Sequence, residues 1–232
     1  MKRKLVLLLV LTTLTLAACG KSEPTVNTQE SSSESVVEST ESQPESSEEP
    51  APEVKSYVPG IYIDNKYEST YVGYVFTAPE GCTFMTPEEL ALENGIDAET
   101  FAAGGEALET FYAQATNVVD FNASTESGAN VYFNVAQMLT YDITLEEYTQ
   151  VLLDELTSVT DMTCTLLEEA QVVEFMGREC TKALVSIEME GVTLYQQYYM
   201  FIEPTYTGTI VVTYADGMEA EKDALIAGFA AN

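Results

Sequence analysis

The sequence contains no histidine and no tryptophan, and only 9 of its 232 residues are Lys or Arg against 38 Asp or Glu. Without histidine neither a Ser-His nor a Cys-His nucleophile pair can be assembled, and histidine-containing zinc sites go with them. From Val58 onward only Lys66, Arg178, Lys182 and Lys222 are basic. Four scattered cations cannot neutralise a run of phosphates, so nucleic acid is excluded as a partner. The net charge of −29 also disfavours contact with an anionic headgroup layer and leaves cationic partners open. Four acidic pairs, Glu88-Glu89, Glu146-Glu147, Asp154-Glu155 and Glu168-Glu169, lack the alternating Asp spacing of a calcium loop. No metal ligand, cofactor or catalytic residue is therefore assigned, and the first two pairs suit the positive ends of helices instead.

What is present begins at the N-terminus. Lys2, Arg3 and Lys4 precede an apolar run from Leu5 to Thr15, and Leu16-Ala17-Ala18-Cys19 follows. This order is a secretory signal, too short and too rich in Thr for the roughly 20 apolar residues of a spanning helix. It closely resembles a bacterial lipoprotein signal, whose lipobox reads Leu, small, small, Cys. The resemblance implies cleavage between Ala18 and Cys19, a diacylglyceryl group on Cys19 Sγ, and a place on the extracytoplasmic face of the cytoplasmic membrane. Two acyl chains hold a membrane stably where one does so reversibly. With Cys19 so used, Cys82, Cys164 and Cys180 allow one disulfide at most, and three unpaired thiols are the expectation.

Residues 19–57 form an acidic, Ser- and Glu-rich stretch with almost no aliphatic content. Such a segment cannot bury enough apolar area to offset its ordering entropy, and it reads as a tether with a reach of roughly 35 Å. Residues 58–232 read as one domain. Thr86-Pro87-Glu88-Glu89 and Thr144-Leu145-Glu146-Glu147 are capping boxes, the first with Pro at the opening helical position. The second predicts a helix burying Tyr148, Val151, Leu152 and Leu156. Asp97 caps a further helix that reaches about Gln114 across Gly104-Gly105, and Asp216 with Glu219 opens a last one burying Leu225, Ile226 and Phe229. Strands are predicted at Gly60 to Lys66, Tyr71 to Thr77, Val118 to Ala123 and Asn130 to Met138. A meander follows over Ala170 to Phe175, Cys180 to Met189, Thr193 to Ile202 and Gly208 to Tyr214. The tight turns impose antiparallel neighbours, giving an α+β fold: an antiparallel β-sheet with helices packed on its faces.

Tyr67-x3-Tyr71-x-Gly73-Tyr74-x-Phe76-x2-Pro79-Glu80-Gly81, the capping Thr86-Pro87 and the closing meander plus helix resemble the PsbP-like α/β/α sandwich. The chain is similar to uncharacterised lipoproteins of Gram-positive anaerobes that carry this domain. The resemblance brings no catalytic residues and implies a factor that assembles or stabilises a larger complex. Two aromatic groups are candidate contact surfaces. Tyr195, Tyr199 and Phe201 share one strand face, either as a binding patch or as sheet packing beneath a helix. Tyr62, Tyr67, Tyr71 and Tyr74 crowd the first hairpin, as a partner surface or as cross-strand packing. The function expected is a membrane-anchored, non-catalytic domain that recognises another envelope protein. The alternatives are a small-ligand or divalent-cation module and, more remotely, a hydrolase working through two carboxylates.

Overall fold

The structure, a computed structural model, describes residues 57–137, 143–158, 163–189, 191–203 and 206–232. The signal, Cys19 and the tether up to residue 56 lie outside the described residues. Eleven strands and five helices are described. The larger sheet has seven strands in the order β4 (Cys82–Phe84), β5 (Asn117–Thr125), β6 (Asn130–Gln137), β10 (Tyr206–Ala215), β9 (Val192–Glu203), β8 (Arg178–Met189) and β7 (Thr163–Phe175). The smaller has four: β1 (Ile61–Ile63), β2 (Lys66–Ser69), β3 (Tyr74–Thr77) and β11 (Phe229–Ala231). Every pairing is antiparallel. The expected α+β fold is what the chain forms.

The capping chemistry is realised as written in the sequence. Glu89 N donates to Thr86 Oγ1 at 3.2 Å and Thr86 N to Glu89 Oε2 at 2.9 Å, opening α1 (Pro87–Glu93). The same reciprocal pair, Glu147 N to Thr144 Oγ1 and Thr144 N to Glu147 Oε2, opens α4 (Leu145–Ser158). Asp97 accepts from Thr100 N at 2.8 Å, but the helix it starts breaks at Gly104 (φ 56°) into α2 (Ala98–Ala103) and α3 (Gly105–Gln114). Glycine adopts that left-handed backbone without a Cβ clash.

The large sheet is the middle layer. On one face α4 lies against β7, β8 and β9, with Tyr148 and Leu156 buried and Val151 at the rim, 36% exposed. Leu152, also expected to be buried, is half-buried, so two of the four expected positions are fully buried and Thr149 joins them. The other face carries α5 (Glu219–Ala227) and the small sheet, which share an aromatic core of Tyr67, Tyr74, Phe76, Phe121, Phe133 and Phe201. Gly60 to Lys66, expected as one strand, turns at Asp64 (φ 54°) so that β1 and β2 form a hairpin. Phe229, expected on the last helix, instead pairs with Phe76 in β11, and Met218 rather than Asp216 caps α5.

Gly208 in β10 lies opposite Phe201 in β9. A Cβ there would come 2.9 Å from one ring carbon of Phe201 and closer to two others. The ring also stacks edge-on with Phe133 at 5.5 Å, so it has no free direction in which to yield. Gly208→Ala is expected to destabilise the domain by about 1–3 kcal/mol, the usual cost of overpacking. A urea midpoint lowered with unchanged slope is the reading that checks it.

Candidate functional site

The least ordinary group in the domain is Asp120. It sits in β5 between Val119, paired with Asn134, and Phe121, paired with Phe133, where the register shifts by one residue. That bulge turns the carboxylate into the space between the two sheets, and its exposure there is 0%. Re-aiming one side chain is what such bulges do. A carboxylate without water must be hydrogen-bonded or neutralised. Here hydroxyls do it. Tyr57 and Tyr67 donate to Oδ1, the latter at 2.9 Å, and Tyr74 donates to Oδ2 at 2.6 Å. Ser69 adds a further hydroxyl contact.

The rings behind these hydroxyls form the wall. Tyr67 stacks on Phe121 (centroids 5.3 Å, 25°), Tyr74 tilts against Phe133 at 4.8 Å, and Tyr57 lies between Tyr71 at 5.3 Å and Tyr112 at 5.4 Å. Tyr67 Oη also accepts from Gly60 N at 2.8 Å, while Tyr62 Oη is buried with no hydrogen-bond partner among the described residues. Burial first, and the Asp120 charge second, push the hydroxyls of Tyr57, Tyr67 and Tyr74 far above the ordinary tyrosine value. The shift favours the protonated form, in which each hydroxyl donates to Asp120. Burial likewise raises the Asp120 carboxyl above 3.8, and the hydroxyls from Tyr57, Tyr74, Tyr67 and Ser69 offset part of that rise.

The hairpin tyrosines singled out in the sequence are thus divided. Tyr67 and Tyr74 face inward onto Asp120, Tyr62 packs on Tyr67 and Phe84, and Tyr71 packs on Tyr57 and Tyr206. Asp120 and Tyr57 were not anticipated. The bulge puts the consecutive residues Asp120 and Phe121 on one face, so that alternation counted from Phe121 and Ala123 turns the acid outward, and Tyr57, at the end of the tether stretch, is 4% exposed in the core.

Tyr195, Tyr199 and Phe201 do not make an exposed patch. Tyr199 is buried and stacks on Phe175 at 4.3 Å, and Phe201 is buried beneath the Arg178 guanidinium, 5.1 Å from its ring centre. Tyr195 alone is half-buried, stacked on Tyr214 at 5.4 Å. Helix α5 and the small sheet cover this face, so the packing alternative describes these residues. The acidic pairs stay apart too. Glu89 and Glu147 cap helices, Asp154 accepts from Gln150 at 2.7 Å, and Glu168-Glu169 lie in a bulge of β7. Cys82, Cys164 and Cys180 carry free thiols. Among the described residues, no helix is long and apolar enough to cross a membrane.

The other conspicuous surface is β7. It is the outermost strand of the large sheet and 13 residues long, and nothing among the described residues pairs with its outer edge. Leu166, Leu167 and Val172 on it are 41%, 46% and 65% exposed. Irregularities between Leu166 and Glu168 and between Glu168 and Gln171 divide it into two straight runs.

No protein-family model matches the sequence, and no curated relative does either. Solved structures of similar fold include cyanobacterial PsbP (CyanoP) from Synechocystis sp. PCC 6803, at 14% identity, covering 75% of this chain and 97% of that one with a TM-score of 0.48. LpqN, described as involved in cell envelope biogenesis of Mycobacterium tuberculosis, is similar at 9% identity over 68% of this chain and 82% of its own, TM-score 0.43. A Bacteroides thetaiotaomicron protein is similar at 12% identity over 72% of this chain and 48% of its own, TM-score 0.39. The likeness concerns the course of the backbone, and no residue role is carried across.

The Asp120 cluster has a measurable signature. Between the unfolded carboxyl value and its raised native value, the native state holds the proton more often than the unfolded state does. Stability from this group is therefore greatest at low pH and declines as pH rises through the native value. Relative to Asp120→Asn, which keeps an oxygen acceptor but not the charge, the wild type is expected to lose stability progressively from about pH 4 upward. Asp120→Ala, which strips three tyrosine hydroxyls of their acceptor, is expected to cost about 3–5 kcal/mol. Urea titrations of the three proteins across pH are the check, and a wild-type-minus-Asn difference that stays flat with pH refutes the assignment.

Proposed function

We propose that this chain is a lipid-anchored, extracytoplasmic lipoprotein whose domain is non-catalytic and recognises another envelope protein. The observation that carries the reading is the contrast between its two unusual features. Asp120, the acid that burial perturbs, is sealed from solvent and committed to hydroxyl donors, an arrangement suited to holding two sheets together. A general acid or base has to reach a substrate within hydrogen-bond distance. Strand β7, by contrast, has an outer edge that nothing among the described residues pairs with, and apolar side chains at its surface. Sheet edges left in this state are where proteins take on an extra strand.

The anchor follows from Leu16-Ala17-Ala18-Cys19 and the acidic tether from residues 19–56, which together hold the domain near the membrane without asking it to touch the headgroups. Diacylglyceryl on Cys19 leaves Cys82, Cys164 and Cys180 as the thiols of the domain. The membrane is thus reached through lipid, and the partner is protein.

In cells, full-length protein is expected in the membrane fraction, while Cys19→Ala leaves lipid labelling absent. A photo-crosslinking residue placed at Val172 is expected to capture an envelope protein that the same residue at Glu126, in the exposed turn between β5 and β6, does not. Identical products from the two positions would sink the recognition reading.

A further inference from the structure

We infer that the Gln171–Phe175 run of β7 receives an extended segment of its partner as an eighth strand, and that this segment is apolar in the middle and basic at both ends. The inference rests on the recognition reading above and gives its partner a chemistry.

The run is suited to strand addition because it is straight and well held from behind. Gln171, Val172, Val173, Glu174 and Phe175 pair in unbroken register with Lys182, Thr181, Cys180, Glu179 and Arg178. Val173 and Phe175 point to the face carrying α5 and the small sheet, where Phe175 stacks on Tyr199 and both remain half-buried. Val172 points to the opposite face and is the most exposed large apolar residue of the strand. An incoming strand with apolar residues at the matching positions would cover apolar surface on both faces while its backbone satisfies the open edge.

Charge marks both ends of the run. Glu174 stands directly across from Glu179, a like-charge pair on one face that ordinarily disfavours pairing, and Glu168-Glu169 lie in the bulge at the other end. All four side chains are exposed, and none forms an ion pair among the described residues. A Lys or Arg beside Glu174 and Glu179, and another beside the bulge, would relieve both. A second copy of this chain is a poor occupant, since two such edges would set acid against acid. The acidic tether is poor for the same reason. The bulges reinforce this choice, because irregular edges resist indiscriminate pairing.

The test uses full-length protein and three labelled peptides of about eight residues: an apolar strand with two Lys at each end, the same strand with Glu at each end, and the Lys version with a central Pro. The Lys-ended peptide is expected to bind and to slow amide exchange at Gln171 to Phe175. The Glu-ended and Pro-containing peptides should bind at least about tenfold more weakly. Glu169→Lys and Glu174→Lys, both at exposed positions, bring the acid pair at each end from −2 to 0 and should abolish the preference for the Lys-ended over the Glu-ended peptide. Equal binding of the Pro peptide would reduce the effect to the general acidity of the chain and overturn the inference. So would protection elsewhere, an unchanged preference in the double variant, or a chain that dimerises through β7 and refuses peptide. A Val172 crosslink that survives the double charge reversal would overturn the inference while leaving the recognition reading in place.

Discussion

A single ionisable group sets the relation between the two sheets. Asp120 belongs to the large sheet, while Tyr67 and Tyr74 belong to the small one and Tyr57 precedes it. The carboxylate costs free energy to bury, and it is retained because three phenols and a serine point at it from the other side of the interface. Hydrogen bonds to an ionised acceptor are roughly twice as strong as neutral ones. They are also directional, so the small sheet cannot slide over the large one without breaking several at once. Apolar contacts alone would not fix the register so tightly, since one aromatic ring packs about as well as its neighbour.

A second tie supports the first and is joined to it by contact, since Tyr57 packs on Tyr71 and Tyr71 on Tyr206. Arg178 opens β8 and reaches Val72 O at 2.9 Å in the link between β2 and β3, Tyr206 Oη at 3.2 Å and Glu203 Oε1 at 3.0 Å, with its guanidinium over Phe201. The planar fork serves four partners that a lysine could not. The same core holds the aromatic layer of Phe76, Phe121, Phe133 and Phe229. Tyr57, wedged between Tyr71 of that link and Tyr112 of α3, sits where β5, the link and the helix meet.

How much of this was legible depended on whether the signal was local. The caps at Thr86, Asp97 and Thr144 are spelled out over four residues, and the structure reproduces each. The meander was legible because Met176-Gly177 is a turn dipeptide and Ala183, Val185 and Ile187 alternate cleanly. Strand β7 was read seven residues short, since Leu166 to Ala170 do not alternate; the two bulges that break the pattern are also what divides the edge. Asp120 was illegible for a related reason, since the register shift against β6 brings Phe121 to the same face and leaves no single alternation across Val118 to Ala123. Tyr199 and Phe201 shared a face as expected. What the sequence left open was what covers that face, and α5 with the small sheet covers it.

The same physics explains why the inner acid and the outer acids have opposite meanings. Inside, one carboxylate surrounded by donors holds structure together, and adding a partner there would mean opening the aromatic layer. Outside, carboxylates along β7 face water and leave their field unspent. Among the described residues Glu174 and Glu179 form no ion pair, and two such edges brought together would set like charges against each other. An edge protected by charge repels copies of itself and attracts a strand of the other sign. Long-range attraction speeds the first encounter, and the straight run from Gln171 to Phe175 then requires the segment to lie flat, with one side chain up and the next down. Charge thus decides which strands approach, and backbone geometry decides which of them stay.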